Sequence, residues 1–255
     1  MNDARLESCL DYLKFTIESE GEEFSKEHNG VLRDILEEEV SADSAVEQYL
    51  ASLSLERKSI ADENPMSRYA GTRCIVNYFG IKDKKALKLL DKEISNMRTA
   101  ELFVNPLSMD FDFNYLKALH KHIFGDIYPS AGCIRTSNTS KKTEFCPASD
   151  ILRSSDELFS KLSDDNYLVD IYDTDDFVNE LAYFMGEMEL LHPFMDGNGR
   201  VTRLFFNRLA MNAGYDIIWA SADPDHYLEA NIAAIDGDYQ ALIDVLEEIV
   251  IPRSR

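Results

Sequence analysis

Apolar side chains recur at three- and four-residue steps through the first 58 residues. Leu6, Cys9, Leu10, Leu13 and Ile17 make one stripe, Leu32, Ile35 and Leu36 a second, and Val46, Tyr49, Leu50 and Leu53 a third. That spacing predicts three short helices, each with one face to bury. Gly21 suits a left-handed stop after the first, Ser25 precedes the second, and Ser41 or Asp43 the third. A polar break follows at 62–65, and helical periodicity then returns over 69–79, 82–95 and 114–124, and again over 148–162, 175–191, 199–212 and 226–249. Between these blocks, Tyr128-Pro-Ser-Ala-Gly-Cys-Ile-Arg-Thr and Ser140-Lys-Lys-Thr-Glu-Phe-Cys-Pro are two short runs around a polar tip, which predicts a β-hairpin. No internal repeat interrupts the pattern. The expected fold is mainly α, a helical bundle carrying one β-hairpin, with a small N-terminal three-helix segment at 1–58 ahead of a main domain at 59–255.

Composition agrees with that division. At roughly 150 residues per domain the chain amounts to about 1.7 domains, one large domain plus an appendage. Hydrophobic residues make up 45% of its 255 residues and charged residues 29%, with 11 Gly and 7 Pro, which excludes a disordered or collagen-like chain. Three short helices bury too little to stand alone, so residues 1–58 should dock on a partner surface. The net charge of −21, from 26 Lys and Arg against 47 Asp and Glu, repels phosphate backbones and argues against nucleic-acid binding, while leaving room for a basic site inside a cleft. Cys9, Cys74, Cys133 and Cys146 contain no CxxC pair and read as reduced thiols. The N-terminus lacks a basic region followed by an apolar one, and no apolar run approaches the ~18 residues of a membrane span. A cytoplasmic protein without membrane contact is the expectation.

The chemistry concentrates in His192-Pro-Phe-Met-Asp-Gly-Asn-Gly-Arg-Val-Thr-Arg203. Pro193 disfavours helix at His192, so the amphipathic helix before it should end there. Gly197 and Gly199 let the chain turn tightly and point successive N–H groups into one concavity. A second helix beginning near Gly199 turns its positive end to the same space, with Arg200 and Arg203 on one side of its first turns. A titratable base, a carboxylate, an anion nest and two guanidiniums suit a polyphosphate: Asp196 can hold Mg²⁺ beside substrate phosphates, and His192 can accept a proton from an attacking hydroxyl near neutral pH. The bland alternative is a Gly-rich turn between helices with surface arginines and a capping histidine.

This stretch resembles HPFxxGNGRxxR, the signature of Fic-domain proteins, at all eight fixed positions, and the resemblance extends over about residues 60–250. It implies a Fic fold and transfer of AMP from ATP to a hydroxyl of a target protein. By that resemblance His192 is the general base, Asp196 the Mg²⁺ ligand, Asn198 with the backbone of Gly197 and Gly199 the anion hole, Arg200 the holder of the α- and β-phosphates and Arg203 that of the γ-phosphate. The flap, roughly 134–147 with Ile134, Arg135, Thr136 and Phe145, would clamp the target by main-chain pairing. Related kinase-type members carry Lys at the position of Gly199, so its absence here favours AMP over phosphate transfer.

Glu18, Glu20, Glu22 and Glu23 crowd the end of the first helix, where the negative pole penalises acids by about 0.3–1 kcal/mol each, so a compensating group outside the helix is expected. Thr16-Ile-Glu-Ser-Glu20-Gly21 resembles the inhibitory motif (S/T)xxxE(G/N) of Fic regulation, and residues 1–58 resemble a VbhA-type antitoxin fused ahead of the core. That likeness implies that Glu20 pairs with Arg203 and takes the γ-phosphate position; a solvated acidic face is the competing reading. The helix at Tyr227-Leu-Glu-Ala-Asn-Ile is similar to a Fic helix near the adenine, which makes Tyr227 and Asn231 nucleotide contacts, with core packing as the alternative. His120 and His122 lie on different helix faces and do not share a metal, His28 and His226 read as surface or capping residues, and Trp219 as core. Two other functions fit the same residues: removal of AMP from a modified protein with Glu20 positioning water, and a non-catalytic nucleotide- or protein-binding module. ATP and a protein target are the expected partners, self-modification is possible, and the sequence leaves the oligomeric state open.

Overall fold

The structure, a computed structural model, describes all residues except 62, 109, 141–143, 254 and 255. The chain divides into two compact units, one of Met1–Ser108 with Ala118–Cys133, the other of Met109–Lys117 with Ile134–Arg255.

In the first unit the N-terminal stripes become α1 (Asp3–Glu18), α2 (Lys26–Leu36) and α3 (Ala42–Ser52). Asn2, Ser25 and Ser41 each accept a main-chain N–H of the following first turn, from Arg5, His28 and Ser44, and so define where the helices begin. All three pack on α4 (Lys84–Val104). Their buried faces, with Leu13, Ile17, Leu32 and Leu36 at 1% exposure or less, belong to the same core as Leu90 and Ile94 of α4. Gly21 turns the chain at φ 72. The acidic end of α1 finds its compensation on α4: Lys88 Nζ donates to the carbonyl of Glu20 at 2.9 Å and pairs with Glu22 at 2.6 Å, and Lys92 Nζ reaches the Glu23 carbonyl at 3.5 Å. Arg98 of α4 ties down α3 through Asp43 at 2.8 Å and also holds Asp126 at 2.6 Å and Glu101 at 3.0 Å.

Three sequence expectations fail in instructive ways. Residues 69–79 are irregular rather than helical, because Asn77, fully buried, commits its side chain to the local backbone. It donates to Ile75 and Ile81 carbonyls and accepts from Phe79 and Ile81 N–H groups, an alternative to helix that its residue type favours. His28 is not a surface residue: it is 3% exposed and its Nδ1 bonds Glu93 of α4. The long helix expected over 226–249 is broken into α9 (Pro224–Ile235) and α10 (Gln240–Ile249) by Gly237 at φ 86.

The second unit is built on α7 (Thr174–Leu191) and α8 (Asn198–Ala213), with α6 (Ile151–Asp164), α9 and α10 against α7. α5 (Phe113–Phe124) gives its first residues to this unit and its last to the other. The core is aromatic: Phe177, Phe184, Phe194, Phe205 and Phe206 are each under 2% exposed. Two strands too short to show in the sequence, β1 (Tyr215–Ile217) and β2 (Val250–Pro252), pair antiparallel with Asp216 opposite Ile251. The hairpin expected around 128–147 is reduced, among the described residues, to one bridge between Ser140 and Glu144; its tip, 141–143, lies outside them. Its arms bond elsewhere. Arg135 N–H donates to the Pro193 carbonyl at 2.8 Å and Cys146 N–H to the Leu190 carbonyl at 2.9 Å, so both arms run beside the end of α7.

Among the described residues no helix is long and apolar enough to cross a membrane, and all four cysteines are free thiols.

Candidate active site

Helix α7 stops because the next residue precedes a proline, and that residue is His192. It caps the helix in the left-handed region, φ 42 and ψ 57, with its N–H on the Met188 carbonyl at 3.2 Å. A side chain other than glycine pays for such a backbone in strain and holds it only where the surroundings enforce it. Here Arg135 Nε donates to the His192 carbonyl at 2.8 Å, and the Phe145 ring stacks on the imidazole, 3.7 Å between centroids and 14° between planes. Glu189, one turn earlier and 8% exposed, brings Oε2 to 3.8 Å from His192 Nδ1.

The loop that follows is fastened by its own sequence. Asn198 accepts the Phe194 N–H and donates to the Phe194 carbonyl, both at 2.9 Å, closing 194–198 into a rigid turn. Gly197 supplies φ 77, and its N–H donates to Asp196 Oδ1 at 2.8 Å. α8 then begins with no side-chain cap on its first N–H groups, the arrangement that attracts an anion. Arg203 is buried at 5% exposure, and Arg200 is half-buried. A Cβ on Gly199 would stand 3.4 Å from Arg203 Nη1 and 3.7 Å from Glu189 Oε1, so the loop, the arginine and the acid of α7 converge on one spot.

His192, Asp196, Gly197, Asn198, Gly199, Arg200 and Arg203 thus come together on one loop and the first turns of α8, and three nearby side chains turn to the protein itself. The Asn198 amide is committed to the loop backbone and braces the turn instead of facing a ligand. Arg135 and Phe145 turn their side chains inward. Arg135 is 2% exposed, with its guanidinium on the carbonyls of His192, Ser137 and Cys146, and Phe145 is 7% exposed against the imidazole. Burial pulls the Arg135 guanidinium below its ordinary value, against a small opposing influence from Cys146. Ile134 is half-buried and Thr136 exposed.

Tyr227 and Asn231 lie on α9. Tyr227 meets Trp219 edge-on at 5.5 Å, and Asn231 Nδ2 donates to the Tyr227 carbonyl at 2.7 Å, leaving its buried Oδ1 without a hydrogen-bond partner. Trp219 is core, its Nε1 on Asn207 Oδ1 at 3.0 Å. In the first unit, Thr16 is buried with its hydroxyl unbonded, and Glu20 lies just past the end of α1 with its N–H on the Ile17 carbonyl at 3.2 Å. His120 and His122 do take different partners, the Gly132 N–H and Glu101. Among the described residues no three His, Cys, Asp or Glu side chains gather as a metal cage. Glu189 is the residue that sequence reasoning passed over; an acid three positions before His192 in an otherwise apolar helix end was the available signal.

Comparison with known proteins converges on the same segment. The profile described as "Fic/DOC family" matches residues 110–210. Protein adenylyltransferase VbhT of Bartonella schoenbuchensis is 32% identical over 168 residues, covering 66% of this chain and 35% of that protein, so the chain spans about a third of VbhT. Probable protein adenylyltransferase y4lH of Sinorhizobium fredii is 30% identical over 191 residues, 74% of this chain and 97% of the relative. Among solved structures, the BepC protein of Bartonella tribocorum with bound AMPPNP superposes with a TM-score of 0.68 at 24% identity, over 73% of this chain and 97% of that one. Fic-1 of Caenorhabditis elegans gives 0.58 at 19% identity over 97% of this chain and 63% of its own. The structural likenesses speak to the fold alone. With the signature loop, the matching profile and a relative aligned over nearly its whole length, the chain belongs to the Fic/DOC family.

Proposed function

We propose that this protein is an adenylyltransferase that moves AMP from ATP to a hydroxyl side chain of a target protein, held in check by its own residues 1–58. The observation that carries the reading is His192, fixed at the end of α7 over a clamped loop that leads into the uncapped N-terminus of α8. His192 takes the proton from the target hydroxyl, the hydroxyl oxygen bonds to the α-phosphorus of ATP, and the bond to the β-phosphate oxygen breaks to release pyrophosphate. The first N–H groups of α8 face the developing phosphate charge, Arg200 holds the α- and β-phosphates and Arg203 the γ-phosphate; the work is positioning and charge neutralisation.

Asp196, a single exposed carboxylate beside that helix end, fits Mg²⁺, which takes one or two carboxylates and completes its shell with phosphates and water. The ion would supply neutralisation of phosphate charge. Ile134 and Thr136 are the flap side chains left to meet the target, and Tyr227 with Asn231 is the candidate adenine contact. The free thiols accord with a cytoplasmic site of action.

Inhibition is assigned to Thr16, Glu20 and Gly21, with Glu20 acting on Arg203 in place of the γ-phosphate. The reading rests on the TxxxEG motif and on the fixed turn that carries Glu20. Wild type and Glu20→Gly, each given Mg²⁺ and labelled ATP, test it together. Wild type should label a target or itself weakly and Glu20→Gly strongly, and adding His192→Ala should abolish the label. Equal labelling by wild type and Glu20→Gly defeats the inhibition, and label that survives His192→Ala defeats the base. Release of AMP from a modified target by wild type alone would instead make Glu20 a positioner of water.

A further inference from the structure

Arg135 is buried, yet all its partners are main-chain carbonyls, and those carbonyls come from three places. Nη1 takes Ser137 at 2.9 Å on the first arm of the flap, Nη2 takes Cys146 on the second arm, and Nε takes His192 at 2.8 Å. Its own N–H adds a fourth link, to the Pro193 carbonyl at 2.8 Å. The residue before Cys146 is Phe145, the ring stacked on the imidazole.

We infer that Arg135 is a positioning residue for the base: it fixes the left-handed backbone of His192 and, through Cys146, the Phe145 ring on its imidazole, so that the geometry of the flap sets the aim of His192. A direct role in gripping a target is ruled out by its 2% exposure and by the use of its guanidinium inside the protein. A role as ion-pair partner fails because carbonyls, not carboxylates, surround it. The residue type follows from that geometry, since three carbonyls in three directions need the planar fork of a guanidinium, which the single nitrogen of a lysine cannot reproduce.

The inference deepens the adenylyl-transfer reading, and its test has one arm that does not depend on it. The proteins are Glu20→Gly alone and Glu20→Gly with Arg135→Met or Arg135→Lys. The first measurement is the position of the His192 ring resonances by NMR, identified among the five histidines by their loss in His192→Ala. Stacking against Phe145 should hold them upfield in the parent and release them toward ordinary histidine positions in Arg135→Met. The second is steady-state AMP transfer. Arg135→Met should lower kcat about a hundredfold with KM for ATP within about twofold, the effect of a misaimed group rather than a lost ligand contact. Arg135→Lys should recover part of both. Ring resonances that stay in place in Arg135→Met overturn the inference, as does an unchanged kcat with a raised KM for ATP, which would make Arg135 a nucleotide-binding residue. Where Arg135→Met does not fold, Arg135→Lys decides on the same readings. If the Glu20→Gly parent transfers no AMP at all, the catalytic reading fails, and the ring resonances still settle whether Arg135 positions His192.

Discussion

Lys88 holds Glu22 with its ammonium at 2.6 Å while donating to the carbonyl of Glu20 at 2.9 Å, so one side chain of α4 grips the turn after α1 at two points. Both partners are partly exposed, 46% and 28%, which limits the energy of the pair to less than about 1 kcal/mol. Its value lies in fixing where Glu20 sits. Lys88→Ala should leave the melting temperature within a few degrees of wild type and raise basal AMP labelling to a level between wild type and Glu20→Gly. Labelling no higher than wild type would separate the turn from the inhibition.

The buried pair of His28 and Glu93 behaves differently. Burial alone would push the Glu93 carboxyl up, but the His28 bond and charge, with Lys92 alongside, hold it below the ordinary carboxylate value. A depressed folded value means stabilisation that is complete above the unfolded value of about 4.3 and is lost as pH falls through the folded one. Glu93→Gln should therefore cost about 2 kcal/mol at pH 7, and the gap from wild type should narrow as pH falls below the unfolded value toward the folded one. Denaturant melts of the two proteins at pH 7 and pH 3.5 give the comparison.

The sequence led correctly to the helices whose apolar stripes are long and whose ends carry Asn2, Ser25, Ser41 or Pro193, because there local preference and burial agree. It misled wherever a polar side chain was recruited by nearby backbone or by a distant helix. Asn77 unmakes a helix that the apolar spacing of 69–79 supports, and His28 is drawn inside by a partner 65 positions away. The turn of the signature loop was legible, since its proline and glycine dictate where α7 stops and where the chain takes φ 77. The inward turn of the Arg135 and Phe145 side chains was not legible, because their partners, the carbonyl and the ring of His192, lie 57 and 47 positions away in the chain.

Asn198 is the brace of that loop. Asn198→Ala leaves the buried N–H and carbonyl of Phe194 without their partner, a loss of about 2 kcal/mol. AMP transfer should fall by at least tenfold with it. A variant that keeps full stability and activity would mean the turn closes without its amide.

Gly197 and Gly199 should respond in opposite ways. Gly197 sits at φ 77, so Gly197→Ala carries about 1–2 kcal/mol of backbone strain. Gly199 has ordinary backbone, and a methyl there meets Arg203 at 3.4 Å and Glu189 at 3.7 Å, contacts a side chain tip can absorb. Gly199→Ala should melt within about 0.5 kcal/mol of wild type, and calorimetry of both variants reads the contrast.

Gly186, midway along α7, leaves no such room. A Cβ there would stand 2.6 Å from the Tyr239 ring and 3.0 Å from Ala234, so Gly186→Ala should destabilise by about 1–3 kcal/mol despite the better helix former. A gain in stability would show that Tyr239 can move aside.

The fastening of the three N-terminal helices to α4 has a consequence for the solution around the protein. Its links at the turn after α1 and at the start of α3, Lys88 to Glu22 and Arg98 to Asp43, each reach a partner open to solvent, whereas His28 and Glu93 meet with side chains 1% and 15% exposed. Mobile ions screen the first kind over about 10 Å at 0.1 M and about 3 Å at 1 M, and barely reach the second. Rising ionic strength therefore slackens the turn after α1, which carries Glu20, and the start of α3 before it loosens α2.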